Sequence, residues 1–290
     1  MLKGLIAFLL IVLIGGCASA DQPPATETTE TTAMSVTPQG ELKGRISMVG
    51  STTVQPLVEA MGTVYNNIHP DVQLDIGAGG SVVGIQAVQK GDVDIGMSSR
   101  HLDDEEILAG MELHQIAIDV LAVIVHPDNP VDDLSLEQLR AIYLGEVTNW
   151  QAVGGEDMPI LPVVREVTSG TRGAFDEIVL DDQQPDESVV DVQITAGEVE
   201  RKVATTPNAI GYIGFGHINP DEIKVLTIDE IVPSPETALD QSYTLQRPLL
   251  LITGSLSRHL AQNFVDFALS PEGQQIVARE GWVPVIDVEE

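Results

Sequence analysis

The sequence predicts an α/β protein whose chain is divided between two lobes, and three observations predict it. Short apolar runs alternate with stretches of helical periodicity from Gly44 almost to the C-terminus, the pattern of a largely parallel sheet with helices on both faces. At 290 residues the chain exceeds one ordinary domain. The alternation also runs through both halves without a clean break, as expected of a chain that crosses between lobes more than once.

The N-terminus comes first. Met1-Leu2-Lys3, an apolar run from Leu5 to Ile14, and Gly15-Gly16 make a charged start, a short apolar stretch and a small-residue cleavage site. A bilayer needs about 20 apolar residues, so 1–16 reads as a signal peptide rather than a span. Cys17 follows directly, as in a lipoprotein signal, where it becomes the lipidated first residue. An ordinary signal peptide with an incidental cysteine is the alternative. As the single cysteine, Cys17 excludes an internal disulfide framework. The Thr-, Glu- and Pro-rich text that follows has nothing to pack, so 17–43 reads as an anchor and flexible linker.

Folded signals begin at Gly44. Arg45–Val49 reads as a strand and leads through Gly50-Ser51-Thr52-Thr53 into a helix carrying Leu57, Met61 and Tyr65. Val72–Ile76 is a second strand, followed by Gly77-Ala78-Gly79-Gly80-Ser81 and a helix with Val83, Ala87 and Val88. A third strand, Val93–Met97, ends in Ser98-Ser99-Arg100. Leu113–Asp119 and Val120–His126 form a long β-rich stretch, and Leu136–Leu144 a helix. Ile160–Arg165 is a strand leading through Ser169-Gly170-Thr171-Arg172 into a helix with Phe175 and Val179. Ala209–Phe215 and Leu249–Ile252 are strand-like, and a last helix spans about Leu256–Leu269 before Pro271. The expected division is 44–121 with 221–290 in one lobe and 122–220 in the other, each with its own sheet.

Charge limits what the chain can bind. Fourteen Lys+Arg against 44 Asp+Glu give a formal net charge of −30. No cationic surplus exists to displace counterions from nucleic acid or to seek an anionic membrane surface. Any anionic ligand meets a repulsive overall field and needs a strong local site.

Such a site is suggested by repetition. Ser51-Thr52-Thr53, Gly79-Gly80-Ser81 and Ser169-Gly170-Thr171 each stand between a strand and a helix start. A helix N-terminus carries roughly half a positive charge and unpaired N–H groups. Glycine lets an anion approach that backbone, and Ser or Thr adds a hydroxyl donor. Arg100 and Arg172 sit beside two of these turns, and Arg165 closes a strand. A guanidinium fork matches the oxygens of a tetrahedral anion. From pattern alone, plain N-capping and surface ion pairing stand level with an anion site.

Gly50-Ser51-Thr52-Thr53-Val54-Gln55-Pro56-Leu57, Asp94-Ile95-Gly96-Met97-Ser98-Ser99-Arg100 and Ser169-Gly170-Thr171-Arg172-Gly173-Ala174-Phe175 resemble the phosphate-binding proteins of ABC transporters. Ala122–Pro130, Thr148-Asn149-Trp150 and Ile210-Gly211-Tyr212-Ile213 resemble the same family, so the likeness covers about Gly44 to Val285. It implies the type II periplasmic-binding-protein fold, with two lobes closing on dehydrated inorganic phosphate that is handed to permease subunits. By position, Thr52 and Thr53 match the ligands of the first turn, and Ser81 with Gly80 those of the second. Arg165, Ser169, Gly170 and Thr171 match the second lobe. Ser51, Ser99, Arg100 and Asp119 complete the expected site, while Arg172 falls outside the match and reads first as an ion-pairing residue.

Two departures matter. Arg165-Glu166-Val167-Thr168-Ser169 stands where members often read Arg-Glu-Glu-Gly-Ser. Ser99 stands where many members carry an aspartate that accepts the proton of hydrogen phosphate. Asp119 is the expected substitute acceptor, with Arg100 as its partner; a hinge residue capping a backbone amide is the alternative. The expectation is therefore a monomeric, lipid-anchored, extracytoplasmic binding protein with no cofactor and no metal. Sulfate, molybdate or tungstate binding, or a sensor or adhesin on the same fold, are the rivals. A serine hydrolase is disfavoured, because neither Ser81 nor Ser169 sits in a Gly-x-Ser-x-Gly frame.

Overall fold

The computed structural model describes residues 42–257 and 259–286. The signal peptide, Cys17 and all of the linker before residue 42 lie outside the described residues. β1 (Gly44–Gly50), α1 (Val54–Ile68), β2 (Val72–Ala78), α2 (Ser81–Lys90) and β3 (Ile95–Ser98) form an opening strand–helix alternation. β1 pairs in parallel with both β2 and β3. The long β-rich stretch read over Leu113–His126 is a single fourteen-residue strand, β4 (Glu112–Val125). Then come β5 (Asp133–Leu134), α3 (Leu136–Tyr143), β6 (Leu161–Arg165), α4 (Gly170–Leu180), β7 (Asp191–Gln193), α5 (Ala196–Ala204) and β8 (Ala209–Gly214). β9 (Lys224–Val225), β10 (Thr227–Ile228), α6 (Pro235–Leu239), β11 (Gln246–Thr253), α7 (His259–Ala268) and α8 (Pro271–Arg279) complete the chain.

Among the described residues the main ladder runs β2-β1-β3-β11-β4-β8-β6-β7, with β9 also paired to β4. β11 is antiparallel to β3 and β4, and β4 is antiparallel to β8, so the sheet is mixed rather than largely parallel. Separate sheets are the expectation from sequence; instead β4 serves both lobes. Its first half pairs with β11 and its second half with β8 and β9.

The side chains of β4 divide accordingly. Ile116 and Ala117 pack with Ile46, Met61, Leu251 and Phe264 beneath α1, α7 and α8. Val120, Leu121, Val123 and Val125 pack with Trp150, Phe175 and Tyr212 beneath α3 and α4. Ala122 and Ile124 face the opposite side, against Val199 and Val203 of α5. In the first lobe α2 covers the other face through Ile85 and Val88. Two cores joined by one strand give a two-lobed α/β molecule of the type II form.

The sequence places the return to the first lobe near residue 221. Leu226, Ile228, Ala238, Tyr243 and Leu245 pack into the core containing Trp150 and Phe175. β9 extends the second half of β4, and the Tyr243 hydroxyl donates to the Leu121 carbonyl at 2.8 Å. The chain rejoins the first core only with β11.

Candidate functional site

The three Ser/Thr/Gly turns do converge. Ser51 closes the first turn, its Oγ accepting from the Thr53 and Val54 amides at 3.2 and 3.4 Å, so it caps α1. Its hydroxyl donates to Ser99 Oγ at 2.8 Å. Ser81, the first residue of α2, accepts from the Ser99 amide at 3.0 Å. Ser169 caps α4 by accepting from the Thr171 and Arg172 amides at 3.2 and 3.3 Å. The capping reading thus applies to the oxygens of Ser51 and Ser169; the Ser51 hydrogen goes to Ser99, and the Ser169 hydroxyl keeps one to donate.

Contacts cross between the lobes at each turn. Arg165 Nη2 donates to Thr52 Oγ1 at 3.2 Å, Thr53 Oγ1 and Thr171 Oγ1 lie 3.1 Å apart, and the Val82 amide donates to the Thr168 carbonyl at 3.1 Å. Two glycines allow this closeness. Gly80 holds φ at 87°, and a Cβ there would stand 2.7 Å from the Thr168 carbonyl oxygen. A Cβ on Gly170 would strike Ser81 Oγ and stand 2.7 Å from Ser99 Oγ.

Arg165 is the buried cation of this cluster. It is 1% exposed, and its Nη2 also donates to the Ile194 carbonyl at 2.7 Å. Its Nε and Nη1 have no acceptor in the protein. Burial pushes the guanidinium down to about 10, opposed by the Glu166 charge and reinforced by that of Arg247. Arg172 braces it from behind: Nη1 donates to the Arg165 carbonyl at 3.1 Å, and Nε binds both Asp176 oxygens. That is the ion-pairing role the sequence suggests for Arg172.

Arg100, expected beside Asp119, instead pairs with Glu106. Its two terminal nitrogens each bind a Glu106 oxygen at 2.7 Å, and Nη1 also donates to the His101 carbonyl. The hydrogen bond to Glu106 holds Arg100 above its ordinary value, against burial. The Asp103–Glu106 run forms a short 3-10 turn that curls Glu106 back onto the arginine.

Asp119 is fully buried in the middle of β4, and its partner is Arg247 rather than Arg100. The two face each other across the β4–β11 ladder. Arg247 Nε and Nη2 donate to Asp119 Oδ2 at 3.0 and 2.7 Å, while Oδ1 accepts from the Phe215 amide at 3.1 Å. Arg247 Nη2 reaches on to Thr53 Oγ1 at 3.3 Å, and its Nη1 is buried without an acceptor in the protein. Beside them lies His217, whose Nε2 is also buried without a partner and whose ring stands edge-on to Trp282 at 5.9 Å. Burial holds this imidazole below its ordinary value, with Asp119 opposing and Arg247 reinforcing.

Sequence reasoning missed Arg247 and His217. A scarce arginine opening an apolar strand was a signal for the first; nothing local marks the second. Together the cluster offers hydroxyl donors, three helix starts and buried guanidinium nitrogens. It presents no nucleophile–base pair, and it suits a tetrahedral oxyanion.

Comparison with known proteins agrees. The model of the PBP superfamily domain matches residues 24–272. The phosphate-binding protein PstS of Bacillus subtilis is 30% identical over 99% of this chain and 96% of its own length. That of Borreliella burgdorferi is 32% identical over 83% of this chain and 90% of its own. A crystal structure from Clostridium perfringens, described as a phosphate ABC transporter substrate-binding protein with bound phosphate, is 39% identical and superposes with a TM-score of 0.80. It is covered in full by 84% of this chain. By sequence over nearly its whole length, and by fold, the chain belongs to the PBP superfamily, among the PstS-like phosphate-binding proteins.

Proposed function

We propose that this protein captures inorganic phosphate outside the cytoplasm and delivers it to the permease of an ABC transporter, as a binding protein rather than an enzyme. The observation that carries this reading is Arg165. It is buried with two nitrogens lacking a protein acceptor, and its Nη2 donates across the cleft to the Thr52 hydroxyl, beside the Thr53–Thr171 contact. Unmatched buried donors cost about 1–3 kcal/mol each, so a site of this kind favours a ligand that is all acceptor. The proposed ligand set is Thr52, Thr53, Gly80, Ser81, Ser99, Arg165, Ser169, Gly170 and Thr171, with Ser51 orienting Ser99. Names of relatives that bind phosphate or serve an ABC transporter support the same ligand and partner.

Anchoring through Cys17 at the outer face of the membrane is part of the proposal, as are a monomeric state and lobes divided at 44–119 with 246–286, and 120–245. Calorimetric titration of the purified protein with phosphate tests the central claim; absence of binding refutes it. A broader oxyanion reading is favoured by one observation. Ser99 stands among other hydroxyls, and Asp119 is committed to Arg247 and the Phe215 amide. Competition by sulfate separates the two.

A further inference from the structure

We propose that Arg247 is a second anion-contacting arginine, held in place by Asp119 as its counter-ion. The inference rests on the phosphate reading above and adds a residue to that site. Thr52 and Thr53 are consecutive, and their hydroxyl oxygens take the two guanidinium groups: Arg165 at 3.2 Å on Thr52 and Arg247 at 3.3 Å on Thr53. Both arginines are almost fully buried, 1% and 2% exposed. Between them they carry three nitrogens with no acceptor in the protein: Nε and Nη1 of Arg165, and Nη1 of Arg247.

Proximity shows in their electrostatics. The Arg247 charge is one of the influences lowering the Arg165 guanidinium. Two buried guanidinium groups that contact adjacent hydroxyls of one turn and keep unmatched N–H donors favour a ligand that supplies acceptor oxygens to both. Asp119 does not fill that role. Its Oδ2 is taken by Nε and Nη2 of Arg247 and its Oδ1 by the Phe215 amide, which fixes the guanidinium and leaves Nη1 as its free donor. The pair therefore presents an oriented N–H rather than an acceptor. Asp119 acts on the ligand through Arg247, as a positioning residue.

The test is titration of the full protein with inorganic phosphate, comparing wild type, Arg165→Gln and the double variant Asp119→Asn/Arg247→Gln. The double variant exchanges a buried ion pair for a neutral amide pair, so its melting temperature without phosphate is expected to stay at or above that of wild type. Its phosphate affinity is expected to fall at least tenfold, which is about 1.4 kcal/mol. Affinity within twofold of wild type, with Arg165→Gln impaired, overturns the inference and leaves the phosphate reading standing. No binding by wild type overturns both. Should the double variant fail to fold, a crystal structure of wild type with inorganic phosphate decides. Nη1 of Arg247 within hydrogen-bonding distance of a phosphate oxygen supports the proposal, and Nη1 turned elsewhere refutes it.

Discussion

Thr53 and Thr171, 118 positions apart, share a hydrogen bond of 3.1 Å between their hydroxyl oxygens. One opens the first helix of one lobe and the other lies in the first turn of α4 in the opposite lobe. The contact therefore joins the two lobes directly, and the hydroxyl cluster exists only when both contribute.

Removing the Arg165 guanidinium should weaken phosphate binding most among single substitutions in that cluster. Hydrogen bonds to charged groups contribute about 1.5–3 kcal/mol each, so Arg165→Ala should lose at least tenfold in affinity. Unchanged calorimetric binding would place the anion elsewhere.

Gly170→Ala should separate binding from folding. Alanine is favoured over glycine in a helix, and Gly170 is the first residue of α4. Its methyl group would nevertheless collide with Ser81 Oγ across the cleft. The expected outcome is an unchanged or higher melting temperature with phosphate affinity reduced tenfold or more. Normal affinity would mean that the lobes bind ligand without approaching this closely.

Arg100→Gln should leave phosphate affinity within about twofold, because its forked contact is with Glu106. The lost pair is partly exposed, and such pairs contribute about 0.2–1 kcal/mol to stability. A large loss of affinity in this variant would restore Arg100 to the site.

The contrast between Arg100 and Arg247 shows what the sequence made legible. Ser169-Gly170-Thr171 could be read because helix-start chemistry is local, and Arg165 because it closes a strand just before that start. Pairing of Asp119 with Arg247 depends on the register of two strands separated by 128 positions, which no local pattern encodes. The return of Glu106 onto Arg100 is made by a short 3-10 turn that no local pattern announces. Three helices were missed despite usable signals, the shortest being α6 with its Ser234–Thr237 capping box. Thr195 and Glu198 form a capping box for α5, and Pro271, read as a stop, instead stands at the start of α8.

Stability should depend on His217 on the acid side. Its folded value lies below the ordinary 6.5, so the unfolded chain binds more protons as pH falls past that point. The contribution is fully present above about pH 6.5 and is lost as pH drops through the folded value. Melting temperatures at about pH 7 and about pH 5 should differ less in His217→Gln than in wild type. His114, also lowered by burial, retains part of the slope in the variant. An identical slope in both proteins would remove His217 from the account.

Because β4 supplies hydrophobic side chains to the cores of both lobes, neither half can melt while the other keeps its full ladder. Heat should therefore unfold the body in a single cooperative step, where two independently folded lobes would give two. Amide protons of Ile116 to Ile124 should be among the slowest to exchange with solvent, since freeing them requires dismantling both neighbours of the strand. The same residues carry one strand from lobe to lobe, so opening the cleft must twist a strand that stays hydrogen-bonded at both ends.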